Sequence, residues 1–417
     1  MTPVTLSPFV HRLLHVVIFL FIPIAIVAPH MVVWEIVIGG LVGLLYSRKQ
    51  SLTELPKPLI TTLLVIPLWA LVTAFWAEHP VSSLTTSLKI LTLVILGLYW
   101  CRLTLSLPQS TRRSLITALI TGLLLGMLFL TIDIWLEKPW QHFWGKTSAK
   151  AFSQGSLIIS LAAWPTTLWV FRRPYPLSWR VGLLICWLPS LFWVLLQIDC
   201  DTSFIGLFMG IFAFLGTYSL PRLTSWGMRF FIPVLIVSFP FISLFAFKPA
   251  YIPIYNSYFH SASYIDRLYL WNNVATTILD HPWGGIGMDG TRHHEKTKSI
   301  RDWSFIDQTG NQQKIQTQHF SIHPHNAILQ LWLELGLFGF ILGILLAYQV
   351  LQQIYRTNLL SIEKAVSAGL FTGTFLIIWV NLGFWQNWWI SGLWIIIGLT
   401  IAMFKGKEEA NEKIYDQ

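Results

Sequence analysis

Charge is scarce in this chain. Of its 417 residues only 11% are Asp, Glu, Lys or Arg, against 54% hydrophobic, whereas a soluble domain carries about 25% charged residues. Water is therefore not its main solvent. Cysteine is nearly missing: Cys101 and Cys186 fall inside apolar runs, Cys200 is the third, and no CxxC or Cys/His ligand spacing exists. Neither a disulfide framework nor a zinc site is supported. No internal repeat, low-complexity tract or motif that reads DNA or RNA is present, so the net charge of +9 does not point to nucleic acid. No small-residue cleavage site follows the first apolar run, which is read as a retained helix rather than a signal peptide. Aromatic residues, by contrast, are abundant, with 22 Trp among them. Their amphipathic rings suit the headgroup level of a membrane.

A spanning helix needs about 20 mostly apolar residues. Twelve stretches qualify, at 9–28, 31–47, 58–77, 88–107, 113–136, 152–171, 181–198, 203–220, 228–247, 325–351, 364–381 and 385–404. The fold class expected is an all-α polytopic membrane protein. Lys and Arg in short loops mark the cytoplasmic side. With the N-terminus inside, that side receives Arg48, Lys49 and Lys57, Arg112 and Arg113, Arg172, Arg173 and Arg180, Arg222 and Arg229, Arg356 and Lys364, and the tail lysines. The other side is nearly bare, apart from Lys138, Lys146 and Lys150. Four regions follow: transmembrane helices over 1–247, a periplasmic loop with short helices over 248–324, three further spans over 325–404, and a cytoplasmic tail over 405–417. The polar loop is the one soluble part large enough to bear part of an active site. Glu35, Lys89, Asp133, Asp199 and Asp201 lie near helix ends, where they are expected to be wet.

The strongest motif is HPHNAILQLWLELGLFGF, from His323 to Phe340, where the loop enters the tenth span. Pro324 suits a first helical turn, which would put His325 in that turn at the membrane surface. A helix N-terminus disfavours imidazolium and attracts anions, so His325 is a candidate proton acceptor beside a phosphate. At about 100° per residue, Gly336, Gly339 and Gly343 fall on the His325 face, a small-residue stripe that would let another helix approach. Glu334 falls opposite. The alternative is that His323 and His325 are polar interface residues ending a loop.

The second motif is SASYIDRLYLWNNVATTILDHPWGGIGMDGTR, from Ser261 to Arg292. Ser261 or Ser263 suits a helix cap, apolar spacing continues to Ile278, and Pro282 and Gly284 stop the helix. Arg267 sits on its first turns. A guanidinium stays charged and forks toward two oxygens, which suits a diphosphate; a snorkelling surface Arg is the alternative. Gly285, Gly287 and Gly290 spell GxGxxG, but no strand or βαβ unit surrounds them, so a turn is expected instead of a dinucleotide site. His293, His294 and Glu295 lack the spacing of a metal site, and none is assigned.

Together these motifs resemble the O-antigen ligase family, within the wider group of O-antigen polymerases and O-oligosaccharyltransferases. The family pattern is His, a polar residue, nine residues, Gly, two residues and a small residue. His325, Asn326, Gly336 and Gly339 meet it, and Arg267 before an apolar helix and a Pro/Gly turn is family-like. The resemblance implies transfer of a glycan from undecaprenyl diphosphate to a lipid A–core sugar on the periplasmic face of the inner membrane. It implies no cofactor and no metal, with the membrane lipid as surroundings. On it, His325 is the general base or helps hold the diphosphate, and Arg267 neutralises the leaving group. Arg292, His323, Asn326 and Lys150 are assigned to substrate binding. Two family arginines are missing: DCDTSF has none near Asp201, and Gln154 stands where another is expected. Lys150, Lys146 or Arg292 is the candidate substitute. A polymerase or related oligosaccharyltransferase with another acceptor shares the chemistry, and a solute transporter is the rival from another class. Against the transporter, no inverted repeat or pair of broken helices is visible.

Overall fold

The computed structural model describes residues 4–46, 56–137, 140, 152–198, 200–256, 258, 261–307, 310–356 and 359–404. Nine helices precede the polar loop: α1 (Pro8–Val27), α2 (Val32–Tyr46), α3 (Lys57–Thr73), α4 (Pro80–Ser106), α5 (Gln109–Trp135), α6 (Ser153–Phe171), α7 (Leu177–Gln197), α8 (Asp201–Ser219) and α9 (Pro221–Phe245). Inside the loop lies α10 (Ala262–Asp280), and after it come α11 (Ala327–Arg356), α12 (Ser361–Val380) and α13 (Asn387–Ile401). Each of the twelve expected spans thus has a helix. Among the described residues nine are long and apolar enough to cross a membrane, and α3 and α13 are shorter apolar helices. Together they make an all-α polytopic membrane protein. Proline opens α1, α3, α4 and α9 within their first two positions, where its missing N–H costs nothing.

The largest apolar cluster runs through α1, α5, α6 and α13, with fully buried Leu14, Phe21, Leu119, Ile158 and Ile396 among its members. Glycine sets one of the close helix contacts. Gly206 and Gly210 of α8 face Gly369 and Gly373 of α12, and a Cβ on Gly210 would stand 2.9 Å from Gly369 O. Small residues at this spacing let two backbones meet where lipid supplies no hydrophobic drive.

The polar segment is more ordered than a loop with short helices. Ile252–Asn256 and Gly290–His293 are single helical turns, and an antiparallel hairpin joins β1 (Ile300–Ile306) to β2 (Gln312–Gln318), pairing Trp303 with Ile315. Trp303 and Phe305 pack with Ile265 and Leu268 of α10, while Arg301 Nη2 pairs with Asp266 at 2.5 Å. The segment caps one end of the bundle. It meets the α3–α4 turn through Ser82 and Asp289, the start of α8 through Asp201 and Tyr264, and the α12–α13 turn through His325 and Asn381. The arginines expected in the cytoplasmic loops gather at the opposite ends, where Arg112 donates to Ala402 O and Arg172 pairs with Glu363.

Three details differ from the expectation. First, α11 begins at Ala327, so Pro324 and His325 precede it; His325 has a left-handed φ of 53°. Second, α11 is broken at Gly336, whose φ is 67° and ψ −171°. The turn 282–287 docks into the break: Ile286 N donates to Leu333 O, Gly287 N to Glu334 O, and Leu337 N to Pro282 O. The stripe of Gly336, Gly339 and Gly343 therefore receives no second helix. A Cβ on Gly336 would lie 2.0 Å from Trp283 O, and at Gly339 and Gly343 it would meet Leu335 and Leu331 of the same element. Third, Glu35 and Asp133 are buried, at 5% and 1% exposure, rather than wet; Asp133 accepts from Trp140 N.

Candidate active site

Local structure places His325 before any side-chain chemistry does. Asn326 Oδ1 accepts from Leu329 N at 2.9 Å, capping α11 three residues on. That cap and the left-handed residue before it turn His325 away from the helix and toward the α12–α13 turn. There His325 Nδ1 stands 2.6 Å from Asn381 O. A carbonyl only accepts, so Nδ1 carries the proton and the neutral ring keeps its lone pair on Nε2.

His323 packs beside it, with ring centroids 4.2 Å apart. Its Nε2 lies 3.1 Å from Gln386 Nε2, which donates to it. Burial, the neighbouring His325 and the charges of Arg292 and Arg267 push its pKa down to about 3. His323 is thus held neutral, and both arginines are close enough for their fields to reach it. His323 Nδ1 and Asn326 Nδ2 are buried without a hydrogen-bond partner among the described residues.

Arg267 arrives on the same face of α10 as Trp271, one turn later. Trp271 Nε1 donates to Pro324 O at 3.1 Å, which fastens this face against the histidine loop. Burial lowers the Arg267 pKa, opposed by Tyr264, Cys200, Asp201 and Asp266. The guanidinium remains a cation, and among the described residues no carboxylate forms an ion pair with it. Asp201, the nearest candidate at the α8 start, accepts instead from the Tyr264 hydroxyl at 2.6 Å. Arg292 is half exposed and pairs with Asp289 at 3.3 Å.

Behind these groups sits Glu334, fully buried and saturated with donors. It accepts from Asp289 N (2.9 Å), Thr291 Oγ1 (2.6 Å), Gln330 Nε2 (3.1 Å) and Trp385 Nε1 (2.7 Å). Gln330 in turn accepts from Phe384 N. One carboxylate therefore joins the Arg292 turn to the α12–α13 turn that holds both histidines.

Of the sequence-selected residues, the structure gathers His325, His323, Asn326, Arg267 and Arg292 around one end of the bundle. Lys150 and Lys146 lie outside the described residues. Gly285 and Gly287, with positive φ, form the turn that fills the helix break, and the helix α10 precedes them. The histidines proposed and set aside as metal ligands have other duties: His293 Nε2 meets Ser82 Oγ at 3.1 Å, and His294 Nδ1 accepts from Lys296 N. Sequence reading missed Asn381, Gln386, Glu334 and Trp271. The polar interruption NLGFWQN between two apolar runs was the available signal for the first two.

Comparison with known proteins bears out the family resemblance. Residues 184–344 match the sequence model of a family described as O-antigen ligase. That interval holds every selected site residue except Lys150. The chain is 26% identical over 344 residues to a protein of Rickettsia prowazekii (strain Madrid E) named "Putative polysaccharide ligase", covering 81% of this chain and 79% of that one. Similar proteins of Rickettsia typhi and Rickettsia conorii, with the same descriptive name, are each 26% identical over 82% and 79% of this chain.

Proposed function

We propose that this chain, whose residues 184–344 match the O-antigen ligase family model, moves a glycan from undecaprenyl diphosphate to a lipid A–core sugar at the periplasmic face of the inner membrane. The observation that carries the reading is His325. Its Nδ1–H is spent on Asn381 O, so Nε2 is the accepting atom, and its neighbour His323 lies within the field of Arg267 and Arg292.

The chemistry follows from these positions. An acceptor hydroxyl gives its proton to His325 Nε2 as its oxygen bonds to the anomeric carbon. The bond from that carbon to the diphosphate oxygen breaks, and the diphosphate leaves with the electron pair. Arg267 and Arg292 neutralise it, and the buried donors His323 Nδ1 and Asn326 Nδ2 suit its oxygens. Direct displacement inverts the anomeric centre. The leaving group is already good, so positioning and fixed charge supply much of the rate. The 248–324 segment forms the roof of the site and the outer ends of the bundle form its floor.

The test is a gene deletion complemented with wild type or His325→Ala, read on a lipopolysaccharide gel and by assay of carrier-linked glycan. Core without O-antigen, with long polymer left on the carrier, is the expected phenotype, unrescued by the expressed variant. Core bearing a single repeat would make the chain a polymerase. A normal ladder would overturn glycan transfer to either acceptor.

A further inference from the structure

A cavity of about 280 Å³ opens beside Arg292, between the α3–α4 turn and the 281–294 segment. Its apolar side is Trp76, whose Nε1 is fixed on Gly284 O at 3.1 Å and whose ring leans on Trp69 at 5.8 Å. The ring is pinned, yet 43% exposed. The polar side holds two carboxylates, Glu78 and Asp289, with His79, His281, His293 and His294. Asp289 is oriented from two directions, by Ser82 Oγ at 3.0 Å and Arg292 Nε at 3.3 Å. Burial and the Lys296 charge lower the His294 pKa against the pull of Glu295 and Glu78.

The lining selects among ligand classes. Carboxylates on this wall repel an anion. An acyl chain would strip water from carboxylates and imidazoles without replacing their hydrogen bonds. No group of three His, Cys, Asp or Glu side chains among the described residues is arranged to hold a metal ion. A sugar ring fits: its C–H face lies on an aromatic ring while carboxylates and imidazoles take its hydroxyls. Phe75, Val81 and Trp283, each within two residues of a lining residue in the chain, are 90%, 79% and 75% exposed. Such apolar and aromatic anchors belong at headgroup level, so the sugar that reaches the cavity is one carried by a lipid.

The geometry points to a subsite for one neutral sugar residue of a membrane-anchored glycan, lying beside the Arg292 position and walled by Trp76, Glu78 and Asp289. It deepens the glycan-transfer reading and rests on it for the identity of the lipid. Either substrate brings such a sugar, the acceptor through its core and the donor through its first repeat.

Saturation-transfer NMR on the full chain in nanodiscs tests it without requiring turnover. The probes are deacylated core oligosaccharide and glycan released from the carrier. With wild type and with His325→Ala, one probe should receive saturation at its ring protons. Trp76→Ala and the exposed-site variant Glu78→Ala should each weaken that probe's binding about tenfold. Loss for the core oligosaccharide assigns the subsite to the acceptor, and loss for the released glycan assigns it to the donor. No transfer to either probe, or transfer unchanged in both variants, overturns the subsite. Sugar binding lost in the variants of a chain that proves unable to transfer glycan keeps the subsite and removes only the enzymatic reading.

Discussion

A backbone carbonyl decides which nitrogen of His325 carries the proton. Asn381 O takes the Nδ1 proton at 2.6 Å, and a neutral imidazole then accepts only at Nε2. Replacing His325 with Ala should lower turnover by about 10²–10⁴, the usual worth of a positioned general base, measured with carrier-linked glycan and acceptor in nanodiscs. Loss of less than about tenfold would leave the histidine a diphosphate ligand. His323 has a different measurable consequence. Its pKa of about 3 in the fold lies below the ordinary histidine value of 6.5, so between those values the unfolded chain binds a proton that the folded chain refuses. Stability is then full above about pH 6.5 and falls as pH drops toward 3. His294 and His319 are lowered in the same direction. In detergent, wild type should lose thermal stability from pH 7 to pH 4.5, and His323→Gln should lose less. His325 and Arg267 were legible in the sequence, because a polar residue at a helix entry stands out against apolar runs. The carbonyl that orients His325 was not, since a backbone atom 56 residues away leaves no mark in the side-chain pattern.

At the scale of the element, the break in α11 organises the site. Gly336 leaves the helix with a φ of 67°, and the 282–287 turn fills the gap. Glu334, one turn of hydrogen bonds deep, then fixes Asp289, Thr291 and Trp385 around it. A side chain at Gly336 faces two costs. The left-handed backbone penalises any L-residue by about 1–3 kcal/mol, and a Cβ would sit 2.0 Å from Trp283 O. Gly336→Ala should expel the turn, seen as new proteolytic cleavage between Pro282 and Arg292 and a lower thermal midpoint in detergent. Glu334→Leu should do the same by stranding four donors, at about 1–3 kcal/mol for each buried group left unsatisfied. Unchanged cleavage in both variants would mean that the turn is held by other contacts. The glycines of this motif were visible in the sequence, but their reason was not. Helical periodicity predicts a stripe only while the helix continues, and nothing in LELGLFGF announces that a distant Pro/Gly turn interrupts it. The hairpin escaped for a related cause: QQKIQTQ in β2 has almost no apolar alternation, and Ile315 is its one apolar residue in the cluster against α10.

For the whole molecule, the apolar helices were the most legible feature, because apolar length is a property of single segments. The structure adds that the two ends differ in kind. One carries arginines satisfied by carbonyls and by Glu363; the other carries the 248–324 segment and the gathered histidines. The difference gives a test of orientation. Cys101 and Cys200 are buried, and Cys186 is exposed only on the apolar helix α7, where lipid keeps a polar reagent away. The wild-type chain is therefore a low background for an impermeant maleimide. Lys314→Cys, exposed on β2, and Arg222→Cys, exposed at the start of α9, stand at opposite ends. With the site facing the periplasm, Lys314→Cys should label in spheroplasts and Arg222→Cys only after lysis. The reverse result would place the histidines on the cytoplasmic side, away from any glycan already carried across. Labelling of both from one side would mean that α9 (Pro221–Phe245), the one long apolar helix between the two positions, does not cross.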